Sequence, residues 1–151
     1  MKRSIVIILL ASIFSILACE EKQEPTVVTE AEPSLEGNWI LYERGYSPGA
    51  GYNIEKVNSN PPSRITLTWD KDFSSNINGL TQFKFYRVVL DSVYDRQVLA
   101  LYEDDPGNDE IDVNNLKQSY FIELEENKLK LYFRYCIEGC HLGFKKEILN
   151  D

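Results

Sequence analysis

The chain is short of positive charge. Its 151 residues include 16 lysines and arginines against 24 aspartates and glutamates, which gives a net charge of −8. A protein with this excess of negative charge repels the phosphates of nucleic acids and is not drawn to anionic lipid by charge. The composition therefore excludes DNA and RNA as expected partners.

Histidine and cysteine, which supply many catalytic and metal sites, are also scarce: the chain has one histidine and three cysteines. A nucleophilic enzyme needs a base beside its nucleophile. The single histidine, His141, directly follows Cys140, and successive side chains on a strand point to opposite faces. The glycine-rich segment 45–52 is not followed by the Gly-Lys-Ser/Thr of a phosphate-binding loop. We therefore expect no catalytic residues, no cofactor and no enzymatic activity.

The chain also lacks an apolar run long enough to span a membrane as a helix. The longest run, Ile5 to Ala18, has 14 residues, whereas a spanning helix needs about 20. Lys2 and Arg3 precede the run, and this order of charged and apolar residues is typical of a secretory signal. We predict a signal peptide at residues 1–18, with an uncleaved helix as the alternative.

The tetrad Ile16-Leu17-Ala18-Cys19 resembles the lipobox of bacterial lipoproteins. The resemblance implies that the Cys19 thiol receives a diacylglycerol, that the chain is cut before it, and that the new amino terminus is acylated. Two or more acyl chains anchor a protein stably. Cys19 is then the membrane contact. Cleavage removes Lys2 and Arg3 and no acidic residue, so the net charge becomes −10.

Two glutamates follow Cys19, where the inner-membrane retention signal of enteric lipoproteins has an aspartate. The resemblance therefore implies a lipid-anchored protein of the cell envelope, in the outer membrane or on the surface of a Gram-negative bacterium. Residues 19–34 contain two prolines, five glutamates and no aromatic residue. This composition predicts a disordered tether. The remaining residues, 35–151, are enough for one domain with a single core.

This domain has short alternating apolar runs separated by Gly, Asn, Asp and Pro, which is typical of an all-β domain. No run has a helical period, although residues 109–118 have room for one or two helical turns. A sandwich is an alternative, but successive hairpins close most simply into an antiparallel up-and-down barrel. We predict eight strands: Asn38 to Arg44, Arg64 to Trp69, Phe73 to Ile77, Phe83 to Leu90, Gln97 to Tyr102, Ser119 to Glu125, Lys128 to Tyr135 and His141 to Lys146.

Two hairpins are predicted, and one of them has a predicted register. A turn at Glu126-Asn127 places six apolar residues on one face and opposite charges across the other. The predicted pairs are Leu124 with Leu129, Ile122 with Leu131, Tyr120 with Phe133, Glu125 with Lys128, Glu123 with Lys130, and Phe121 with Tyr132. In the other hairpin, a turn at 70–72 leads into Phe73, and alternation predicts Ile65, Leu67 and Trp69 inside.

The segment Leu35-Glu36-Gly37-Asn38-Trp39 resembles the Gly-x-Trp motif that opens the first strand of lipocalins and their bacterial relatives. A long segment, 45–63, follows that strand, where lipocalins have their lid loop. Residues 135–145 also resemble the ends of small, functionally uncharacterised lipocalin-like lipoproteins. The resemblance implies an eight-stranded barrel in which Trp39 packs across the closed end. It also implies a late arginine stacked on Trp39, and Arg134 is the nearest match.

The barrel suggests a binding module for a small, partly apolar ligand. Tyr46 and Tyr52 suit a lid over a barrel mouth, because each has an apolar ring and a polar tip. With Trp69 and Arg87 they are the candidate ligand-binding residues. An inward Arg87 would need an acid such as Glu43 or an anionic ligand as partner, whereas an outward Arg87, the favoured case, is an ordinary surface residue.

The alternative to a ligand carrier is a barrel filled by its own side chains, in which these loop aromatics only cover the core. Such a protein would be a structural or interaction module with an envelope protein as partner. The two hypotheses differ in whether the barrel contains an apolar cavity of a few hundred cubic ångströms.

Cys136 and Cys140 flank a three-residue segment where the chain can reverse. Export places them in oxidising surroundings, which favours a structural disulfide. Free thiols are the next alternative, and a metal site with His141 is the least favoured, because the spacing is not that of zinc sites. The acidic segment 103–112 has the oxygen density of a calcium site but not the residue order of a calcium loop, so a solvated loop is favoured.

Overall fold

A computed structural model describes residues 33–49, 51–107, 110–136 and 139–148. All of these belong to the compact unit Glu32–Asp151. The predicted signal peptide, Cys19 and nearly all of the predicted tether lie outside the described residues. Within the described part of the chain, no helix has the length and apolar character needed to cross a membrane.

Nine antiparallel strands form one sheet in the order β4-β3-β1-β9-β8-β7-β6-β5, with β2 beside the end of β1. Where β4 meets β5, the Phe73 amide donates to the Lys84 carbonyl at 2.6 Å and the Tyr86 amide donates to the Lys71 carbonyl at 2.9 Å. The sheet thus forms a nearly closed antiparallel barrel, which confirms the predicted all-β fold. The strands are β1 Gly37–Tyr46, β2 Asn53–Lys56, β3 Arg64–Leu67, β4 Phe73–Ser75, β5 Phe85–Asp91, β6 Arg96–Tyr102, β7 Ser119–Glu125, β8 Lys128–Phe133 and β9 His141–Lys146.

All eight predicted strands are present, and β2 is the one that the pattern missed. Its residues, Asn53–Lys56, are all exposed, so the strand has no apolar alternation to reveal it. It forms because its backbone pairs with the end of β1, from Glu43 opposite Lys56 to Tyr46 opposite Asn53. The 3₁₀ turn Val113–Asn115 lies in segment 109–118, which has room for one or two helical turns.

The register predicted for the β7–β8 hairpin is confirmed at all six pairs, from Tyr120 opposite Phe133 to Glu125 opposite Lys128. Leu129 and Leu131 are fully buried in the barrel interior. The opposite face bears the charged pair, in which the Lys130 ammonium lies 3.4 Å from the Glu123 carboxylate. Apolar burial on one face and charge pairing on the other select the same register.

Trp39 is completely buried, and its indole N–H donates to the Leu35 carbonyl at 2.8 Å. The cation over its ring is Lys146, with its ammonium 5.2 Å from the ring centroid. The expected stacking of Arg134 on Trp39 is wrong, because Arg134 forms a buried ion pair with Asp91 at 2.5 Å. Gly37 leaves room for Lys146, since a Cβ at Gly37 would lie 3.0 Å from the lysine Cε.

Polar side chains complete the Trp39 end of the barrel. The buried Tyr86 hydroxyl donates to the Thr68 carbonyl at 2.7 Å and to Glu36 at 3.3 Å. Glu36 also accepts from the Lys71 ammonium at 3.2 Å. Burial, followed by the nearby charge of Glu36, raises the pKa of Tyr86, so this hydroxyl stays a neutral donor.

The prediction that Trp69 points inward is wrong, because the side chain is 75% exposed. Strand β3 ends at Leu67, and Trp69 lies in the turn that follows. The chain reverses in this turn, where the Lys71 backbone has a φ of 69°. The strand alternation therefore stops at Leu67, two residues earlier than the apolar pattern indicates. Ile65 and Leu67 do point inward and are buried, as predicted.

Candidate functional site

A β-bulge in β1 determines which side chains line the second half of the barrel. Leu41 pairs with Phe144, but the next pair along is Glu43 with Gly143, so Tyr42 is an extra residue. A bulge of this kind reverses the in-and-out alternation beyond it. Arg44 therefore pairs with Leu142 on the inner face of β9, whereas uninterrupted alternation from Trp39 and Leu41 would place it outside.

The barrel interior beyond the bulge contains an open cavity of about 360 Å³, which we call the mouth pocket. A neighbouring cavity of about 460 Å³ extends it along the segment Ile77 to Leu80. The two share Arg44, Gln118, Tyr120 and Leu142. Together they lie in the size range of small-molecule sites. The mouth pocket is lined by Arg44, Gly45, Tyr46, Gln118, Tyr120, Leu131, Phe133, Cys140, His141 and Leu142.

The mouth pocket combines an apolar wall with few polar groups. The Gln118 amide donates to the Tyr120 hydroxyl. Burial raises the pKa of Tyr120, which keeps its hydroxyl neutral. Arg44 is exposed and forms no ion pair or side-chain hydrogen bond with any other described residue. Its guanidinium is the charge that the pocket offers to a ligand.

On the outer face of the same strands, a chain of polar side chains holds β2 to the barrel. Tyr52 and the His141 imidazole are hydrogen-bonded partners. The other imidazole nitrogen lies 3.3 Å from the Glu43 carboxylate, which accepts from Lys56 at 2.8 Å. Gly45 lies beneath Tyr52 and His141, and a Cβ there would overlap the Tyr52 hydroxyl and the His141 ring.

The electrostatics of this outer cluster favour positioning over catalysis. Burial alone would raise the pKa of Glu43, but hydrogen bonds from Lys56 and His141 outweigh it and lower the pKa. Burial, and then the charge of Glu43, raises the pKa of Tyr52. A hydroxyl with a raised pKa is not an activated nucleophile. The cluster instead fixes the segment that carries Tyr52 and β2 beside the mouth pocket.

The structure separates the four residues predicted to bind a ligand. Tyr46 lines the mouth pocket, whereas Tyr52 turns to His141 on the outer face. Trp69 lies at the other end of the barrel, since it follows Leu67, the partner of the first residue of β1. These residues do not form one site.

Arg87, the remaining candidate, lies on the outer face of β5, as the favoured interpretation held. Its guanidinium binds Asp105 at 3.1 Å and the Gly107 carbonyl at 3.2 Å. Glu43 is not its partner, because Glu43 binds Lys56 and His141. Asp105 and Asp112, from the segment considered for calcium, accept hydrogen bonds from Gly107 and Asn114.

Cys136 and Cys140 form a disulfide, with their Cα atoms 5.6 Å apart. The predicted pairing is thus present, and Cys140 lies at the rim of the mouth pocket. Among the described residues, no group of three or more His, Cys, Asp or Glu side chains is arranged to hold a metal ion.

Arg44 and Gln118 are the site residues that the pattern of the sequence did not reveal. Arg44 follows an alternation that places it outside, and only the bulge brings it in. Gln118 precedes β7, in a segment with no strand pattern. A register argument for β1 against β9 would have detected the bulge, because two glycines, Gly45 and Gly143, face the bulky His141 and Glu43.

Comparison of the chain with protein-family models, curated proteins and solved structures finds no match. The lipocalin-like identity therefore stays a prediction from the residues that carry the resemblance. The fold and the mouth pocket are observed in the structure itself and do not depend on the resemblance.

Proposed function

We propose that the protein is a lipid-anchored binding module of the cell envelope that holds a small, partly apolar ligand in the mouth pocket. The observation that carries the proposal is an apolar cavity of about 360 Å³ with the Arg44 guanidinium, which pairs with no other described residue, in its wall. Burial of the apolar part of a ligand against Leu131, Phe133 and Leu142 would supply most of the affinity.

The Arg44 guanidinium indicates that the ligand also carries a negative charge. A guanidinium has five N–H donors in a planar fork that fits carboxylate and phosphate groups. Tyr46 and Gln118 add polar tips in the same wall. The ligand class that fits is an anionic amphiphile, whose apolar part enters the barrel while its anion stays at Arg44.

The anchor in this proposal is the acylated Cys19. A Cys19→Ala change should abolish acylation and stable membrane association while the barrel stays folded, because Cys19 precedes the domain. Fractionation of envelope membranes and circular dichroism measure the two properties. A folded Cys19→Ala protein that still fractionates with membranes would contradict this part of the proposal.

The test of ligand carriage is native mass spectrometry of the full chain purified from its own envelope. We expect a mass excess that corresponds to one small molecule, released on unfolding. In a Leu142→Trp variant the indole should fill the mouth pocket and remove this excess. The matched control is Ile148→Trp, at a position that is 70% exposed and does not line the pocket. Repeated absence of bound molecules from the wild type would argue against carriage.

The second candidate is an interaction module for an envelope protein. It is favoured by the filled Trp39 end of the barrel and by the large apolar side chains exposed elsewhere, of which Trp69 is one. The native mass spectra separate the two functions. A protein partner without a small molecule supports interaction, and a small molecule lost from Leu142→Trp supports carriage.

A further inference from the structure

The barrel has an open seam along one edge of β5. Strand β4 contains three residues, Phe73–Ser75, and β5 contains seven. The two strands touch at one bridge, Asp72 opposite Phe85. From Arg87 to Asp91, the only strand that pairs with β5 among the described residues is β6. This part of β5 is therefore an edge strand.

The hydrogen-bonding groups on this edge can be assigned from the ladder. The Tyr86 amide points away from β6, since it donates to Lys71 on the β4 side. Residues two apart in a strand point their backbone groups the same way. The amides and carbonyls of Val88 and Leu90 therefore also point away from β6. They are four strong hydrogen-bonding groups that pair with no strand in the part of the chain that the structure describes.

The side chains along the edge are apolar and exposed. Val88 and Leu90 share the face of the buried Tyr86, yet they are 39% and 59% exposed because the barrel is not covered here. Trp69 lies near the same edge, in the turn that receives the Tyr86 amide. Exposed edges in stable monomers are blunted by lysine, proline or a bulge, and the stretch Val88-Val89-Leu90 has neither lysine nor proline.

We propose that this edge pairs with the same edge of a second copy of the chain, in antiparallel orientation about a two-fold axis at Val89. In this register Val88 lies opposite the second copy's Leu90, and Leu90 lies opposite its Val88. Both are hydrogen-bonded pairs, so all four free backbone groups on each edge are satisfied. Two-fold symmetry presents the same patch twice, which the apolar Val88–Leu90 pairing requires.

The neighbouring registers satisfy fewer groups. Pairing Val88 with Val88 of the second copy would place Leu90 opposite Tyr86, whose amide already donates to Lys71. Pairing Leu90 with Leu90 would place Val88 opposite Ser92, which lies in the turn after β5. The Val89 register also directs the exposed Trp69 toward the Ser92–Val93 turn of the second copy, where Val93 is 77% exposed.

The proposal is tested by the oligomeric state of the purified full chain. Sedimentation equilibrium in a density-matched detergent measures it. We expect a twofold mass for the wild type and a monomer for Leu90→Lys, because the lysine would lie in the apolar pair. The control is Ile148→Lys, also at an exposed apolar position, which should stay dimeric. A monomeric wild type at the highest soluble concentration, or a dimer that survives Leu90→Lys, would overturn the proposal. An added extended peptide that binds a monomeric wild type at this edge would overturn it as well.

Cysteine cross-linking tests the register independently of the lysine variant. In the proposed pair the two Val89 Cα atoms lie about 4.5 Å apart, within the range of a disulfide. The two Val88 Cα atoms lie about 9 Å apart, beyond that range. In oxidised envelope membranes Val89→Cys should therefore form a covalent dimer and Val88→Cys should not. Equal cross-linking of both, or of neither, would contradict the register.

Discussion

The two ends of the barrel use their interior in opposite ways. At one end, Trp39 and Tyr86 are completely buried and each donates a hydrogen bond to a backbone carbonyl. At the other end, Tyr46 and Arg44 line open cavities. Strand β1 contributes to both ends, and the bulge at Tyr42 lies between its two parts. One extra residue thus divides a packed core from a pocket.

The division also explains where each end places its charges. Before the bulge, Lys146 covers the Trp39 ring and donates to the Ser34 carbonyl. After it, Glu43 and His141 are paired on the outside of the barrel, and Arg44 on the inside has no ion-pair partner among the described residues. The lysine at the packed end thus has partners within the protein, whereas the arginine at the open end has none among the described residues.

The largest predicted change in stability is at the packed end of the barrel. Trp39→Ala should cost about 3 to 5 kcal/mol of unfolding free energy, because it removes a fully buried side chain and leaves a cavity. Leu142→Ala, beside the open mouth pocket, should cost less than about 2 kcal/mol, where the range for buried leucines begins. Denaturant unfolding of both variants measures the difference. Equal costs would show that the two ends are packed alike.

The disulfide at the rim of the open end should have the next largest effect. The bond between Cys136 and Cys140 closes a short loop, so replacing both by serine should cost about 2 kcal/mol. Thermal unfolding of the double variant measures this loss. Thiol titration of the unreduced protein provides the control and should find both cysteines unreactive. Two free thiols per chain would contradict the bond.

A smaller effect should appear in acid, at the outer cluster beside the mouth pocket. The lowered pKa of Glu43 means that the folded state holds its carboxylate charged. This stabilisation is complete above the ordinary glutamate pKa of about 4.3 and is lost as the pH falls below it. Glu43→Gln should flatten the acid limb of stability against pH, whereas Glu125→Gln, an exposed carboxylate, should not. An unchanged acid limb would show that Glu43 is not held by Lys56 and His141.

How far the sequence predicts the molecule also differs between the two ends. Apolar alternation predicted the strands, the β7–β8 register and the inward Ile65 and Leu67, because one buried face specifies the register. The open end was less predictable for two reasons. The bulge turns the Arg44 side chain to the inner face, and β2 forms by backbone pairing without an apolar face. Trp69 misled for a related reason: the turn after Leu67 ends the strand before the apolar pattern does.

The most direct test of the account is the affinity of the mouth pocket for decanoate and for its uncharged counterpart, decanol. Isothermal titration of the purified protein should show tighter binding of decanoate, by about tenfold or more, because a hydrogen bond to a charged group contributes about 1.5 to 3 kcal/mol. Arg44→Gln should remove this preference, and Lys128→Gln, an exposed cation on β8, should keep it. Equal affinity of the wild type for both compounds, or a preference that survives Arg44→Gln, would contradict the central claim that Arg44 holds the anion of an apolar ligand.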